Sequence, residues 1–327
     1  MNSNQKPDIE SMPKRRQFVA SALLTLTAAV SGCSQTDTAP NAADDADLNS
    51  LKQVDPKRIT YRKTRKTDTG FDSPTGIALS TKGDLIVVGD SGLARFGSNG
   101  NHVAKISLNS RPTCVATAYN GDIYVGMLDH IQVLHSDGRN TVIRPAVTAR
   151  AHITDLLIVD HSIWVADAGG RQVMRCTLDG DVAARFGDKD QPNRYPGLVI
   201  PSPHLSLAQG QNGQIYVSNP GQHRVETHAL TGECISFWGT AANTLDAFCG
   251  CCNPTDIAIL PDGRFVTSEK GIPRVKIYTR DGKFDEVVAA SDQFTSSAMG
   301  LDLAVTASGQ IYVLDPPSRS VLVFERA

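Results

Sequence analysis

The sequence predicts an all-β domain, a six-bladed β-propeller with four strands in each blade. Three observations lead to this fold class. Short apolar segments recur along the chain at a roughly regular period, turn signals usually separate them, and six related units fit between residue 57 and the carboxyl end. The first strands of the six units lie at 74–79, 112–117, 153–158, 204–208, 254–259 and 300–305.

The fifth unit illustrates the strand order within a blade. The first strand at 254–259 is followed by the turn Pro261-Asp262-Gly263 and a second apolar strand at 265–267. A third strand follows at 274–278, and a second turn leads to a fourth strand around Val287. Radial repetition of four-stranded sheets is the architecture of a β-propeller.

The two ends of the domain predict how the ring closes. The sixth unit stops after its third strand at 321–324, so it lacks a fourth strand. The segment 58–63 at the amino end of the domain supplies one in our prediction. Pairing of these two segments closes the ring and removes an exposed sheet edge.

The repeated unit resembles a known propeller family. The pattern Pro-x-Gly/Asp-Ile-Ala, then Ile-Tyr-Val-x-Asp, then Arg-Val-x-Val/Ile-Phe/Tyr resembles the NHL repeat, and the resemblance covers 57–327. The Gly-His and Trp-Asp signatures of the competing WD40 propellers are missing. Because related propellers include sensors, scaffolds, lyases and lactonases, the resemblance implies the fold and leaves the function open.

Residues 1–33 predict export. A basic start leads into an apolar stretch that ends at Val30, too short for a membrane-spanning helix of about 20 residues, as in a signal peptide. Arg15 and Arg16 resemble a twin-arginine export signal. The segment 30–33 resembles a bacterial lipobox, which implies lipidation of Cys33. We therefore expect an exported protein, anchored by lipid to the membrane on the periplasmic side of a bacterial cell envelope.

Residues 34–56 predict a disordered tether, because small and polar residues dominate and too few large apolar side chains remain to stabilise a fold. The propeller domain follows at 57–327. The formal net charge of the chain is −2 and its pI is near 6.4, without strong clustering of basic residues. This charge distribution argues against nucleic acid as a partner.

Two long loops mark one face of the predicted propeller. Residues 188–203 and 240–253 precede the first strands of blades four and five, on the face where the inner strands begin. Long loops on a rigid scaffold commonly carry function. Three of the seven cysteines of the chain lie in the second of these loops, between 249 and 252.

The cysteines and their predicted neighbours form a candidate metal site. Thiolate and imidazole ligands are typical of copper or zinc, and these two metals are the candidate cofactors. The primary ligand candidates are Cys249, Cys251, Cys252, His204 and Asp256. The second-rank candidates, near the same channel mouth, are His152, Asp155, Asp302 and Cys114.

Two other interpretations of the cysteines stay open. Thiols of an exported protein tend to oxidise, so the cluster also fits a labile disulfide with redox chemistry. Alternatively, one disulfide fixes the long loop, with Cys249 paired to Cys234 or Cys114.

The function predicted from the sequence is that of a binding or scaffold module. A protein or a small-molecule ligand would bind at the loop-rich channel face, since no complete catalytic signature is present. One alternative is a metal-dependent or thiol-redox protein, such as an electron-transfer accessory, that uses 249–252. Another is an enzyme like the propeller lyases and lactonases.

Overall fold

The computed structural model describes residues 50–189, 195–210 and 213–327. Within these ranges the strands form six four-stranded sheets, which confirms the predicted all-β six-bladed propeller. The predicted signal peptide at 1–33, with Arg15, Arg16 and Cys33, lies outside the described residues, as does most of the predicted tether. No helix in the described part of the chain is both long enough and apolar enough to span a bilayer.

The strands are numbered in chain order, and each blade runs from the channel outward. Strand β1 (Tyr61–Asp68) belongs to blade six. Blade one contains β2 (Pro74–Leu79), β3 (Leu85–Gly89), β4 (Gly92–Phe96) and β5 (His102–Ser107). Blade two contains β6 (Cys114–Thr117), β7 (Ile123–Gly126), β8 (Ile131–Leu134) and β9 (Asn140–Ile143). Blade three contains β10 (Ile153–Val159), β11 (Ser162–Asp167), β12 (Gln172–Thr177) and β13 (Val182–Phe186).

The remaining blades repeat this order. Blade four contains β14 (Leu207–Gln209), β15 (Ile215–Asn219), β16 (Arg224–His228) and β17 (Cys234–Trp238). Blade five contains β18 (Asp256–Ile259), β19 (Phe265–Glu269), β20 (Arg274–Tyr278) and β21 (Phe284–Ala289). Blade six contains β22 (Asp302–Val305), β23 (Ile311–Asp315) and β24 (Ser320–Arg326), followed on its outer edge by β1.

The ring closes where β1 pairs antiparallel with β24, with Tyr61 opposite Arg326 and Asp68 opposite Ser320. The amino end thus supplies the missing strand, but this strand starts later than the predicted segment 58–63. Residues Pro56–Arg58 instead form a short 3-10 turn, in which the Asp55 side chain accepts a hydrogen bond from the Lys57 N–H.

The hydrophobic core lies between neighbouring blades. One cluster joins Val275 and Ile277 of blade five to Val313 and Leu322 of blade six, all buried. Because both faces of an inner sheet are covered by neighbours, strands such as β19 and β23 are buried along their whole length. The outermost strand of blade one, β5, shows no alternation of buried and exposed residues and is mostly exposed.

A polar residue at the end of the second strand holds the loop that leads into the same blade. In five blades its side chain accepts a backbone N–H from this leading loop, as expected of a repeated structural residue. The pairs are Asp90 with Ser73 at 2.8 Å, Asp167 with His152 at 2.9 Å, Asn219 with Val199 at 2.9 Å, Glu269 with Cys249 at 3.4 Å, and Asp315 with Thr295 at 3.0 Å.

Candidate functional site

A cavity of about 830 Å³ opens at the channel end where the inner strands begin. Ser202 and Pro203 of the first long loop contribute to it, together with His204 and Thr255, which lie just before the inner strands of blades four and five. Apolar side chains form much of the wall, including Leu128, Pro203, Met299, Leu301 and Pro316. The cavity therefore combines a closed apolar surface with a few polar groups, as small-molecule sites commonly do.

The candidate ligands Asp155, Asp256 and Asp302 form an acidic column at the base of this cavity, and they join the blades. The Asp155 carboxylate accepts from Leu207 N of blade four at 2.7 Å, and Asp256 accepts from Leu303 N of blade six at 2.6 Å. Asp302 accepts from Ile77 N of blade one at 2.6 Å. These three aspartates, all candidate metal ligands, thus link the inner strands of adjacent blades.

Burial favours the protonated form of these carboxyl groups. Desolvation, with the nearby charge of Asp256, raises the pKa of Asp155 to about 8. Desolvation also raises the pKa of Asp302 well above its usual range, and that of Asp256 is raised as well. Asp302 and Asp256 share a hydrogen bond, in which we place the proton on Asp302.

The two predicted histidines and a lysine that sequence reasoning did not single out share the cavity wall. Burial, and then the Lys270 ammonium, lower the pKa of His204 to about 4, so its imidazole is neutral. The His204 ring lies over Gly300, where an added Cβ would come within 2.4 Å of the ring. Burial also lowers the pKa of His152.

The three clustered cysteines point in different directions. Cys251 is exposed and Cys252 is buried, and their sulfur atoms lie 3.1 Å apart as free thiols. Cys249 is buried and its Sγ contacts Asn243 Oδ1 at 3.3 Å instead. Gly250, with a φ of +84°, makes the turn that separates Cys249 from the pair, a conformation that favours glycine.

A chain of hydrogen bonds links the cavity wall to this thiol pair. Lys270 Nζ donates to Ser202 Oγ at 2.7 Å, and Ser202 Oγ donates to Cys252 Sγ at 3.4 Å. Burial would raise the pKa of Cys252, but hydrogen bonds from Lys270, Ser202 and Cys251 lower it overall. The hydrogen bond to Cys252 raises the pKa of Cys251, so Cys252 is the thiol that ionises first.

Buried ion pairs hold the cysteine loop. Lys276 is fully buried, and its Nζ contacts Glu269 Oε1 at 3.1 Å and the backbone oxygens of Leu245 at 3.1 Å and Ala247 at 2.7 Å. Arg274 Nε donates to the other Glu269 oxygen at 2.7 Å. The six cysteines of the described chain are all free, so these charged groups, rather than a disulfide, fix the loop.

The predicted metal ligands do not converge on one point. In residues 50–189, 195–210 and 213–327, one group of three or more His, Cys, Asp or Glu side chains has its ligand atoms within 4.8 Å of one another. That group is Glu226, His228 and Cys234 in blade four, away from the cavity and not proposed from the sequence. Copper or zinc at the 249–252 cluster stays a prediction.

In comparisons with known proteins, no family model matches the chain and no curated protein matches it. Solved structures do match. A protein of unknown function from Bacteroides thetaiotaomicron has a TM-score of 0.62 at 14% identity, over 80% of this chain and 72% of that one. Virginiamycin B lyase from Staphylococcus aureus has a TM-score of 0.54 at 13% identity, over 78% and 82%.

The WD40 propeller domain of Doa1 also matches, with a TM-score of 0.52 at 13% identity, over 78% of this chain and 79% of that one. A lyase, a WD40 domain and a protein of unknown function thus share this architecture with the chain. At such low identity the likeness establishes the propeller fold alone. The chain is therefore a six-bladed β-propeller, and its function has to be argued from its own residues.

Proposed function

We propose that this protein is an NHL-type binding propeller of the bacterial cell envelope, which holds a small organic anion in the channel-mouth cavity. Lipid anchoring through Cys33, after export directed by Arg15 and Arg16, is part of this proposal and rests on the sequence. Membrane fractionation of a Cys33→Ser variant tests this lipid anchoring.

The charge of the cavity is the observation that carries the ligand proposal. Lys270 and Arg111 line the cavity and supply positive charge. The carboxyl groups below them have raised pKa values, so Asp155 and Asp302 are neutral over much of the physiological pH range. Among the acids that line the cavity this leaves the charge of Asp256, against the two cations. The cavity thus combines cationic groups with an apolar wall, a combination that favours an amphipathic anion over a cation.

The first prediction concerns Lys270→Met. The fluorescent anion 8-anilinonaphthalene-1-sulfonate should bind the full chain at one saturable site, measured by fluorescence titration. The variant should bind it about 10-fold more weakly or worse, since a hydrogen bond to a charged group contributes about 1.5–3 kcal/mol.

Lys283→Met is the matched control, because Lys283 is exposed and pairs with Asp281 on the outside of blade five. It should bind the probe like the parent protein. Equal affinity of the Lys270→Met and parent proteins, or binding that does not saturate, would contradict an anion site at this cavity.

A thiol-redox role is the second candidate, and the sulfur contact of 3.1 Å between Cys251 and Cys252 favours it. A small disulfide would react with exposed Cys251, whose proton passes to Cys252. Displacement by Cys252 then closes the Cys251–Cys252 disulfide and releases two small thiols, so two electrons pass from the protein to the reagent. A disulfide between adjacent residues is strained and readily reduced again.

We expect Lys270→Met to slow this reaction with oxidised glutathione about tenfold, because loss of the ammonium raises the pKa of Cys252 and lowers the thiolate fraction. Mass spectrometry would follow the loss of two hydrogens. Cys234→Ser should react like the parent protein. A reaction that persists in Cys251→Ser would show that this pair is not the redox site.

The lyase alternative receives less support from the cavity. The resemblance to propeller lyases suggested a metal held by several channel histidines or acids. Among the described residues that line the cavity, His152 and His204 are the only imidazoles, and the acids Asp155 and Asp302 bond to neighbouring backbone. A binding function, in contrast, requires no catalytic metal and no ligands for one.

A further inference from the structure

A second polar cluster lies in blade four, within the sheet and away from the channel mouth. Glu226 and His228 are two residues apart on β16, so their side chains extend from the same face of the strand. Cys234 on β17 lies opposite His228 in the strand register. The ligand atoms of these three side chains are within 4.8 Å of one another.

The hydrogen bonding of His228 is the first observation that points to a ligand. Its ring is fully buried, with Nδ1 at 3.1 Å from Gly232 O and Nε2 at 2.9 Å from Glu226 Oε2. A carbonyl and a carboxylate only accept hydrogen bonds, and a neutral imidazole has one N–H. Both contacts are therefore satisfied either by a buried imidazolium or by a cation bound at Nε2.

Hydrogen bonds and a stacked ring hold the side chains of the cluster in orientations that suit a bound cation. The Nδ1–H contact to Gly232 O holds the ring with Nε2 toward Glu226, the usual arrangement of a metal-bound histidine. The Phe186 ring stacks on His228 with ring centres 4.6 Å apart. Glu226 Oε1 accepts from Asn219 Nδ2 at 2.7 Å and from Arg224 Nη2 at 2.7 Å. The other oxygen, Oε2, also accepts from Tyr195 OH at 2.8 Å.

The cluster is also accessible. Cys234 and Tyr195 line a cavity of about 920 Å³ between the outer parts of blades three and four. The present separation of Nε2 and Oε2, 2.9 Å, is slightly shorter than the roughly 3.2 Å between two ligands of tetrahedral zinc with bonds of about 2.0 Å. A small displacement of side chains would therefore accommodate the ion.

We propose that Glu226, His228 and Cys234 bind one divalent cation of the zinc class through Oε2, Nε2 and Sγ. The oxygen, nitrogen and sulfur donor set matches zinc, and the adjoining cavity is lined by Cys234 and Tyr195. The bound ion fixes the exposed outer strand β17 to the buried strand β16. The site is separate from the channel-mouth cavity and does not depend on the function proposed for it.

Cobalt(II) is the probe for the test, because a thiolate bound to it gives a charge-transfer absorption band in the near ultraviolet. The full chain carrying Cys251→Ser and Cys252→Ser, which removes the other thiol pair, is dialysed against chelator and titrated. We expect the band to saturate at one equivalent of cobalt(II).

Adding Cys234→Ser should abolish the band, and adding His228→Gln should weaken cobalt binding at least about tenfold. Cys176→Ser is the matched control, since Cys176 occupies the position of His228 in the hairpin of blade three and should leave the band unchanged. Circular dichroism confirms that each variant is folded. No saturable binding in the parent, or a band that survives Cys234→Ser, would overturn the proposal. If His228→Gln fails to fold, loss or survival of the band in Cys234→Ser decides the test.

Discussion

A Glu269→Gln substitution should lower the free energy of unfolding by about 3–5 kcal/mol, since it leaves buried cations without their anion. Glu269 lies between Arg274 and Lys276, and all three side chains are buried. Burial already lowers the pKa of Lys276 to about 8, which shows how strongly this environment disfavours an unpaired ammonium. Urea denaturation followed by tryptophan fluorescence would measure the loss.

The same substitution should release the cysteine loop. Lys276 loses the anion that holds it against the Leu245 and Ala247 carbonyls. The amide has one acceptor oxygen where the carboxylate used two, so Cys249 N, Lys276 and Arg274 compete for it. Buried Cys249 should then react with a maleimide under native conditions. Glu233→Gln is the control, because Glu233 is an exposed glutamate in the neighbouring blade. A stability equal to that of this control would contradict the role assigned to the buried ion pairs.

A second large effect is expected from pH acting on the acidic column. The pKa of Asp155 is about 8 in the folded protein, against about 4 for an unfolded aspartate. The folded state therefore binds a proton that the unfolded state releases. The stability from this group is complete below about pH 4 and is lost as the pH rises toward 8, by an amount on the order of a few kcal/mol.

Asp302→Asn tests a second member of the column, since burial raises the pKa of Asp302 well above its usual range. The amide keeps an oxygen for Ile77 N and an N–H for Asp256, so it imitates the protonated acid and cannot ionise. Its free energy of unfolding, minus that of the parent, should grow with pH and reach on the order of 1–3 kcal/mol at pH 8.

Asp281→Asn provides the contrast for this measurement. Hydrogen bonds from Lys283 and Thr279 lower the pKa of the exposed Asp281 to about 2, so its pairing favours the folded state above about pH 4 and is lost on acidification. A difference between Asp302→Asn and the parent that stays constant from pH 5 to pH 8 would contradict the protonation of the column.

The repeat made most of the fold predictable, while the site depended on details that the repeat does not encode. Alternating apolar strands and turn glycines specify the six blades, and they place Asp155, Asp256 and Asp302 in one column along the channel. Their bonds to the backbone of the next blade follow from the same geometry. The strand that closes the ring was also predictable, although its start was not, because the 3-10 turn at Pro56–Arg58 depends on local capping.

The thiol cluster shows where sequence spacing becomes insufficient. Cys249, Cys251 and Cys252 are close in sequence, yet the turn at Gly250 directs Cys249 toward Asn243 and away from the pair. Lys270 lies next to this pair because its backbone N–H donates a hydrogen bond to Asn253 Oδ1 at 2.9 Å. Neither turn direction nor such a long-range contact can be inferred from the spacing of cysteines.

The blade-four cluster was missed for a related reason. The Glu226-x-His228 alternation is visible in the sequence, but Cys234 was considered as a disulfide partner of Cys249 and not as a metal ligand. Its position opposite His228 depends on a shift in strand register between Thr227 and His228, a local irregularity without a clear sequence signal.

The pairing of β1 with β24 also determines when this domain can finish folding during synthesis. Tyr61 finds its partner Arg326 only after β24 has left the ribosome, since the two residues lie at opposite ends of the domain. Contacts between such distant segments form slowly, because the long loop between them has to be closed first. Until then the chain would carry an open ring in which β1 has no partner strand. Chains truncated before Ser320, where β24 begins, would keep the ring open.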